Sequence, residues 1–159
     1  MSKLDRYDLS ILAELQRDAR ISNQELAERI GLSPSPCSRR VKQLADAGYI
    51  ARQVALLDRK MLGLSLTASV LIGMARHPPQ RFENFEACIR ALPQVLECSL
   101  VTGMDADYQL KVVVADMDHY QKLLLGELTR IEGVTSVRSR FVLNQVLNST
   151  ELPLTHLRT

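Results

Sequence analysis

The chain has 159 residues, of which 46% are hydrophobic and 24% charged, and its formal net charge is +2. This ordinary composition excludes a disordered, collagen-like or coiled-coil chain, and the length suits one medium domain or two small ones. The longest nearly uncharged stretch, residues 61–75, is shorter than the roughly 20 residues that span a bilayer, and no leader pattern precedes it. We therefore expect a cytoplasmic protein without a membrane partner.

The distribution of charge and the cysteines narrow the class of protein further. Residues 1–60 hold 11 Lys and Arg against 8 Asp and Glu, whereas residues 61–159 hold 9 against 10, so the basic excess lies in the first part. The cysteines are odd in number and contain no CxxC pair, which disfavours a disulfide framework and a structural zinc site. We expect three reduced, buried cysteines: Cys37, Cys88 and Cys98.

The first part of the chain has helical spacing in three short segments. Apolar residues at positions 4, 7, 11, 12 and 15 predict a first helix that ends near Arg20. Ser22 and Glu25 have the spacing of a capping box, in which each side chain accepts from the other residue's backbone N–H. Gly31 supplies a left-handed residue at the end of this second helix.

The third segment begins with the serines and prolines of "LSPSPCSRRVKQL", residues 32–44. Pro34 and Pro36 fit the first turn of a helix without loss of a hydrogen bond if Ser33 is the N-cap. Ser35 is an alternative N-cap, because a residue before proline is biased away from helical angles. In either case the spacing predicts a core face of Cys37, Val41 and Leu44 and leaves Ser38, Arg39 and Lys42 outward, with Arg40 on one flank.

The second part has a different rhythm. Residues 49–57 favour an extended strand, and residues 58–64 form a connector. The elements that follow are predicted as a strand (65–74), a helix (81–92), two strands (94–101 and 108–115), a helix (119–131) and a strand (134–146). This βαββαβ order predicts a ferredoxin-like α+β sandwich, a four-stranded antiparallel sheet with two helices on one face. An apolar patch on the other face, carrying Val70, Ile72, Leu100, Leu110 and Val112 or their alternates, would favour dimerisation through the sheet.

Motifs for enzyme chemistry are absent from the sequence. There is no HExxH, GxSxG or Walker-type loop, and the three histidines are far apart. The loop "GMDADY", residues 103–108, has too few oxygen ligands for a calcium site, which leaves a polar hairpin turn and a small-molecule site as alternatives. We expect no catalytic residues, no metal and no cofactor.

The short second helix, the glycine turn and the basic third helix are typical of a helix-turn-helix, whose second helix enters the DNA major groove. With these features, the stretch from "LDRYDLSILAEL" to "KQLADAGYI" resembles the DNA-binding domain of the Lrp/AsnC (feast-or-famine) family of transcription regulators in bacteria and archaea. "LVTGMDADYQLKVVVADMDHYQKLL" and "IEGVTSVRSRFVL" resemble the family's effector-binding and assembly domain. The resemblance covers nearly the whole chain.

The resemblance implies a winged helix-turn-helix domain (1–50), a strand and linker (51–64) and a ferredoxin-like effector-binding and oligomerisation domain (65–159). It implies double-stranded DNA as a partner, in the cytoplasm and at the nucleoid. The residues that it places against DNA are Ser33, Ser35, Ser38, Arg39, Arg40 and Lys42.

The resemblance also implies an amino-acid effector and a homodimer that assembles to an octamer. The effector residues by position are Thr102, Gly103, Asp105, Asp107, Tyr108 and Ser136, with Ser136 on the following βα element. The family loop is usually Gly-x-x-Asp-Tyr, whereas this chain has Gly-x-x-x-Asp-Tyr, so either Asp105 or Asp107 fills the acidic role.

Two other functions remain open at this point. Sirohaem decarboxylases resemble the family in fold, and a nucleoid-organising protein would bind DNA with little sequence preference. The basic third helix argues against the enzyme. We therefore expect a sequence-specific, amino-acid-responsive transcription regulator.

Overall fold

The computed structural model describes residues 4–75, 79–103 and 106–157. The chain forms two compact units, Met1–Leu56 together with Leu147–Thr159, and Leu57–Val146. The C-terminal tail is predicted as part of the second domain (65–159), whereas its last residues, Leu147–Thr159, group with the first unit. There the Gln16 side chain donates to the Leu152 carbonyl (3.1 Å) and accepts from the Leu152 N–H (2.8 Å).

Three helices build the first unit: α1 (Arg6–Arg17), α2 (Asn23–Ile30) and α3 (Pro34–Asp46). Their core residues are Ile11, Leu26, Ala27, Cys37 and Leu44. The capping box of Ser22 and Glu25 is confirmed, and Gly31 adopts the left-handed conformation (φ 72°). α1 ends at Arg17, earlier than predicted, because the Asp18 carboxylate accepts from the Arg20 N–H (2.9 Å) and so favours a turn over another helical residue.

Ser33 is the N-cap of α3, with extended angles (φ −77°, ψ 155°), and Pro34 is the first helical residue. Both prolines lie in the first turn, where a helix has no backbone N–H to lose. At the other end Gly48 (φ 81°) allows the Tyr49 N–H to donate to the Leu44 carbonyl (3.0 Å). This is the Schellman arrangement that satisfies the last carbonyls of a helix.

The strand predicted for residues 49–57 does not form. Residues 51–58 are neither helix nor strand, and Val54, Leu56 and Leu57 are exposed. An extended segment becomes a strand only when another strand accepts its hydrogen bonds, and the described residues of this unit contain none. The sequence pattern for a strand was present, but the partner strand was not.

The second unit is a four-stranded sheet with two helices. Its elements are β1 (Leu66–Met74), α4 (Pro79–Arg90), β2 (Val95–Leu100), β3 (Tyr108–Val114), α5 (Met117–Gly126), a 3₁₀ turn (Leu128–Arg130) and β4 (Val134–Phe141). The strand order is β2-β3-β1-β4, and every pairing is antiparallel. The predicted ferredoxin-like fold is confirmed. β4 ends at Phe141 rather than at residue 146, because Phe141 already pairs with Ala68 near the start of β1.

The two faces of the sheet differ from the prediction. Val70, Ile72, Leu110 and Val112 are buried in one core with Phe85 of α4 and residues of α5, so they face the helices. Their alternates on the other face are mostly polar, namely Ser69, Glu97, Ser99, Gln109, Lys111, Arg138 and Arg140. The prediction of a large apolar patch on the open face is therefore wrong for the described strands. The cysteine prediction is confirmed only for Cys37, since Cys88 and Cys98 are exposed.

Candidate DNA-binding helix and effector loop

The outward face of α3 carries five of the six residues predicted to face DNA. Ser33, Ser35, Ser38, Arg39 and Lys42 are all exposed. Within the described ranges, neither Arg39 nor Lys42 forms an ion pair with a carboxylate of the chain. Both cations are consequently available to an anionic partner such as a phosphate.

Arg40 is the exception, because it turns toward α1. Its Nη1 donates to Asp8 Oδ1 and forms an ion pair with Asp5 Oδ2, each at 2.8 Å, and its side chain is only 28% exposed. The guanidinium also lies 5.6 Å from the Tyr7 ring centroid. Hydrogen bonding to Asp8 raises the pKa of Arg40 further above its usual range. The guanidinium of Arg40 therefore lies against α1 and not with Arg39 and Lys42 on the outward face of α3.

The start of α3 is also held from α2. Asn23, the first residue of α2, donates from its side-chain amide to the Pro34 carbonyl (2.8 Å), and the Leu32 N–H donates to the Ala27 carbonyl (2.9 Å). Together these bonds fix the turn between the two helices. Sequence reasoning missed Asn23, because nothing in the spacing indicates a bond over eleven residues.

Two serines at helix starts allow a matched prediction. Ser22 accepts from the Glu25 N–H (3.2 Å), whereas Ser33 forms no side-chain cap bond. We expect Ser22→Ala to lower the free energy of unfolding by about 1 kcal/mol and Ser33→Ala to leave it almost unchanged. Urea titrations of the full chain followed by circular dichroism measure both; equal losses would show that Ser33 caps α3 after all.

The effector loop is anchored through Asp107. Its N–H donates to the Ile72 carbonyl (2.8 Å) and its carbonyl accepts from the Val101 N–H (2.8 Å). Its carboxylate Oδ2 accepts from the Met74 N–H (2.6 Å). Asp107 is therefore held at the end of β1 with one carboxylate oxygen committed to backbone.

Other predicted effector residues divide into three groups. Thr102 and Gly103 are exposed beside this anchor, and Asp105 lies outside the described residues. Tyr108 is only 1% exposed, packs against Phe85 with ring centroids 4.6 Å apart and the ring planes tilted by 37°, and donates to Glu86 Oε1 (2.9 Å). Burial, and then Glu86, raise the pKa of Tyr108 above its usual range. Tyr108 is therefore a core residue whose hydroxyl is already bound to Glu86.

Ser136 lies on β4 and not on a βα element as predicted. Its Cα pairs with Gly73 of β1, and Thr135 Oγ1 donates to the Gly73 carbonyl (2.9 Å). Because Met74 next to Gly73 binds Asp107, the sheet brings Ser136 and Asp107 to the same end of β1, on its two sides. Nothing in the sequence predicted the role of Gly73 between them.

Gly73 provides the space that Ser136 needs. An ideal Cβ built on Gly73 lies 2.5 Å from Ser136 Oγ, whereas one built on Gly126 has no neighbouring atom within 4 Å. We expect Gly73→Ala to turn the exposed Ser136 hydroxyl into another rotamer at a cost of less than about 1 kcal/mol, and Gly126→Ala to be neutral or slightly stabilising. Denaturant titration of both variants measures the two changes, and a strongly lowered midpoint for Gly73→Ala would show that the Ser136 side chain cannot move.

Other kinds of site find no support in the described part of the chain. No group of three His, Cys, Asp or Glu side chains there is arranged to hold a metal ion. No described helix is long and apolar enough to cross a membrane.

Comparisons with known proteins bear on both units. The winged helix-turn-helix DNA-binding model matches residues 4–51, and the Lrp/AsnC ligand binding domain model matches residues 67–152. The chain belongs to the Lrp/AsnC family.

Individual relatives agree with this Lrp/AsnC assignment. The leucine-responsive regulatory protein of Escherichia coli K12 is 46% identical over 149 residues, which cover 94% of this chain and 90% of the relative. A transcriptional regulator of Neisseria meningitidis, solved in complex with L-Met, superposes with a TM-score of 0.94 at 40% identity, over 97% of this chain and 99% of that one. An AsnC family regulator of Agrobacterium tumefaciens gives a TM-score of 0.91 at 36% identity, over 96% and 99%.

These matches settle the class of the protein. This Lrp/AsnC chain is a DNA-binding transcription regulator of an amino-acid-responsive family, as its sequence predicted. Its relatives are regulators and not enzymes, which removes the sirohaem decarboxylase alternative.

Proposed function

We propose that this Lrp/AsnC regulator reads a specific operator with α3 and that an amino acid bound at the end of β1 changes that binding. The observation that carries the DNA part is the outward face of α3, where Arg39 and Lys42 are exposed and, among the described residues, form no ion pair with a carboxylate. Arg39 contacts base edges and Lys42 contacts phosphate. Ser33, Ser35 and Ser38 donate to phosphate beside the helix N-terminus.

The effector part rests on the residues around Asp107 and Ser136. The carboxylate oxygen of Asp107 that does not bind Met74 is positioned to accept from the ammonium group of an amino acid. Ser136 and Thr102 are exposed hydroxyls for its carboxylate, and Gly103 lets backbone approach it. Asp105, two residues after Gly103 in the same loop, is the alternative acidic residue. L-methionine and L-leucine are the first candidates, because one compared regulator was solved in complex with L-Met and another is a leucine-responsive regulatory protein.

A homodimer that assembles further is part of the same proposal. Two observations support it. The first is a set of exposed apolar residues that an assembly would cover, Leu56 and Leu57 before the sheet and Leu143 and Val146 after it. The hydroxyl of Thr67 is buried at the open face of the sheet without a partner in the described chain, and a second copy would supply one. Sedimentation equilibrium should give an even multiple of the 17.9 kDa chain mass, and we place an octamer at micromolar concentrations. A DNA-binding regulator of this kind acts in the cytoplasm at the nucleoid.

A thermal-shift screen tests the effector part. The full chain is heated with each of the twenty amino acids, and D-methionine serves as a stereochemical control. A ligand at about 100 times its Kd stabilises the folded state by about 2.7 kcal/mol, which raises the Tm by several degrees. A shift with an L-amino acid but not with the D-enantiomer supports the proposal. No shift with any of them contradicts it.

A further inference from the structure

Arg40 lies in the middle of the basic stretch of α3, yet its positive charge is paired with carboxylates of α1 and its N-cap. Its Nη1 donates to Asp8 Oδ1 and forms an ion pair with Asp5 Oδ2, at 2.8 Å each, and the Asp8 side chain is 17% exposed. Two carboxylates face one guanidinium, so this group offers no net positive charge to DNA. A role in phosphate binding does not fit these contacts.

Both carboxylates are themselves held by the start of α1. Asp5 Oδ1 accepts from the Tyr7 N–H (2.8 Å) and the Asp8 N–H (3.0 Å). Asp8 Oδ2 accepts from the Asp5 N–H (3.1 Å). These bonds hold the pKa of the Asp5 carboxyl below its usual range, first through the Asp8 N–H and also through Arg40. The guanidinium therefore meets two oriented acceptors, which is the geometry in which an arginine fixes position as well as charge.

α3 is thus held at two points by polar bonds. Asn23 of α2 binds Pro34, the first residue of α3. Almost two turns later, Arg40 connects α3 to α1. Together with the packing of Cys37 and Leu44 in the core, these two points fix the rotation and the axial position of α3 against its neighbours. The side chains next to Arg40 in the chain, Arg39 outward and Val41 inward, follow that rotation.

We propose that Arg40 is a positioning residue for operator recognition: its ion pair with Asp8 and Asp5 sets the rotation of α3 that aims Arg39 at base edges. This inference rests on the proposed reading of DNA by α3. It differs from a direct DNA contact in a way that can be measured, because the two roles respond to the loss of Asp8 with opposite sign. If Arg40 binds phosphate, the loss of the Asp8 charge frees the guanidinium and strengthens DNA binding. If Arg40 positions α3, the same loss loosens the helix and weakens operator recognition.

The test compares full-length Asp8→Asn with wild type on an operator and on random DNA of the same length, at fixed salt. We expect the ratio of operator to random affinity to fall about tenfold, the size of one lost base contact, with random DNA bound no more weakly. Glu28→Gln, which removes an exposed carboxylate of α2, is the matched control and should keep the ratio within about twofold. Tighter binding of Asp8→Asn to both DNAs would overturn the proposal.

Arg40→Lys provides a second, charge-conserving variant, which carries the test if Asp8→Asn loses its helical signal. Lysine keeps the positive charge but does not bridge two fixed carboxylates as a guanidinium does. We expect the operator preference to fall while the dependence of affinity on salt keeps its slope. Full retention of the operator preference would contradict the positioning role. If wild type itself shows no operator preference, the proposed function fails instead, so the two failures are distinguishable.

Discussion

Arg39→Ala should lose about 1–3 kcal/mol of discrimination between operator and random DNA while its unfolding midpoint stays that of wild type. Arg39 is exposed on α3 and has no ion-pair partner among the described residues, so its removal breaks no ion pair of the described chain. A guanidinium that meets guanine forms two parallel hydrogen bonds, and their loss affects only sequences with that base. Fluorescence anisotropy with labelled operator and random duplexes measures the ratio.

Lys42→Ala is the control for Arg39→Ala, since both variants remove one exposed positive charge from the same helix. As a phosphate contact, Lys42 should weaken operator and random DNA about equally and reduce the salt slope by about one. If Arg39→Ala behaves in the same way as Lys42→Ala, then Arg39 also binds only phosphate. An Arg39→Ala variant with unchanged affinity for both operator and random DNA would show that Arg39 does not contact DNA.

Asp107→Asn should abolish the thermal shift caused by the effector amino acid. Asparagine has nearly the shape of aspartate, and its carbonyl oxygen can still accept from the Met74 N–H that Asp107 Oδ2 accepts from at 2.6 Å. The anchor of the loop is kept, but the negative charge for an ammonium group is lost. A lost charged pair costs about 2–5 kcal/mol of binding, which is a loss in affinity of more than about thirtyfold.

Tyr108→Phe, one residue further along the chain, distinguishes an effect on effector binding from an effect on the stability of the core. The variant loses the hydrogen bond of the Tyr108 hydroxyl to Glu86 (2.9 Å), which should lower the free energy of unfolding by about 1 kcal/mol. The effector shift should remain, because the ring is buried against Phe85. A shift that is lost in Tyr108→Phe but retained in Asp107→Asn would assign the effector to the other side of the loop.

Local chemistry made the first unit predictable. The capping pair of Ser22 and Glu25 and the glycines at helix ends act within a few residues, so sequence spacing is enough to find them. The orientation of the Arg40 side chain could not be predicted in this way, because it depends on where α1 places Asp5 and Asp8. A helical wheel shows that a residue lies between the two faces but not which neighbour it meets.

The second unit shows the same limit for strands. The βαββαβ order was readable, because the period of the apolar residues changes between strand and helix. The prediction of an apolar open face was wrong, since Val70 and Leu110 lie on the helix side and the open face carries Lys111 and Arg140. The close approach of Gly73 and Ser136 depends on strand register, which a sequence alone does not show.

Selection of duplexes from a random DNA pool by the purified full-length chain, with and without L-methionine and L-leucine, tests the central claim most directly. The account predicts enrichment of two half-sites in dyad symmetry, spaced by about one helical turn or a multiple of it, and a change in the recovered fraction when one of the amino acids is present. Recovery of the pool without any enriched sequence, and to the same extent with and without the amino acids, would contradict it and would favour a nucleoid-organising protein.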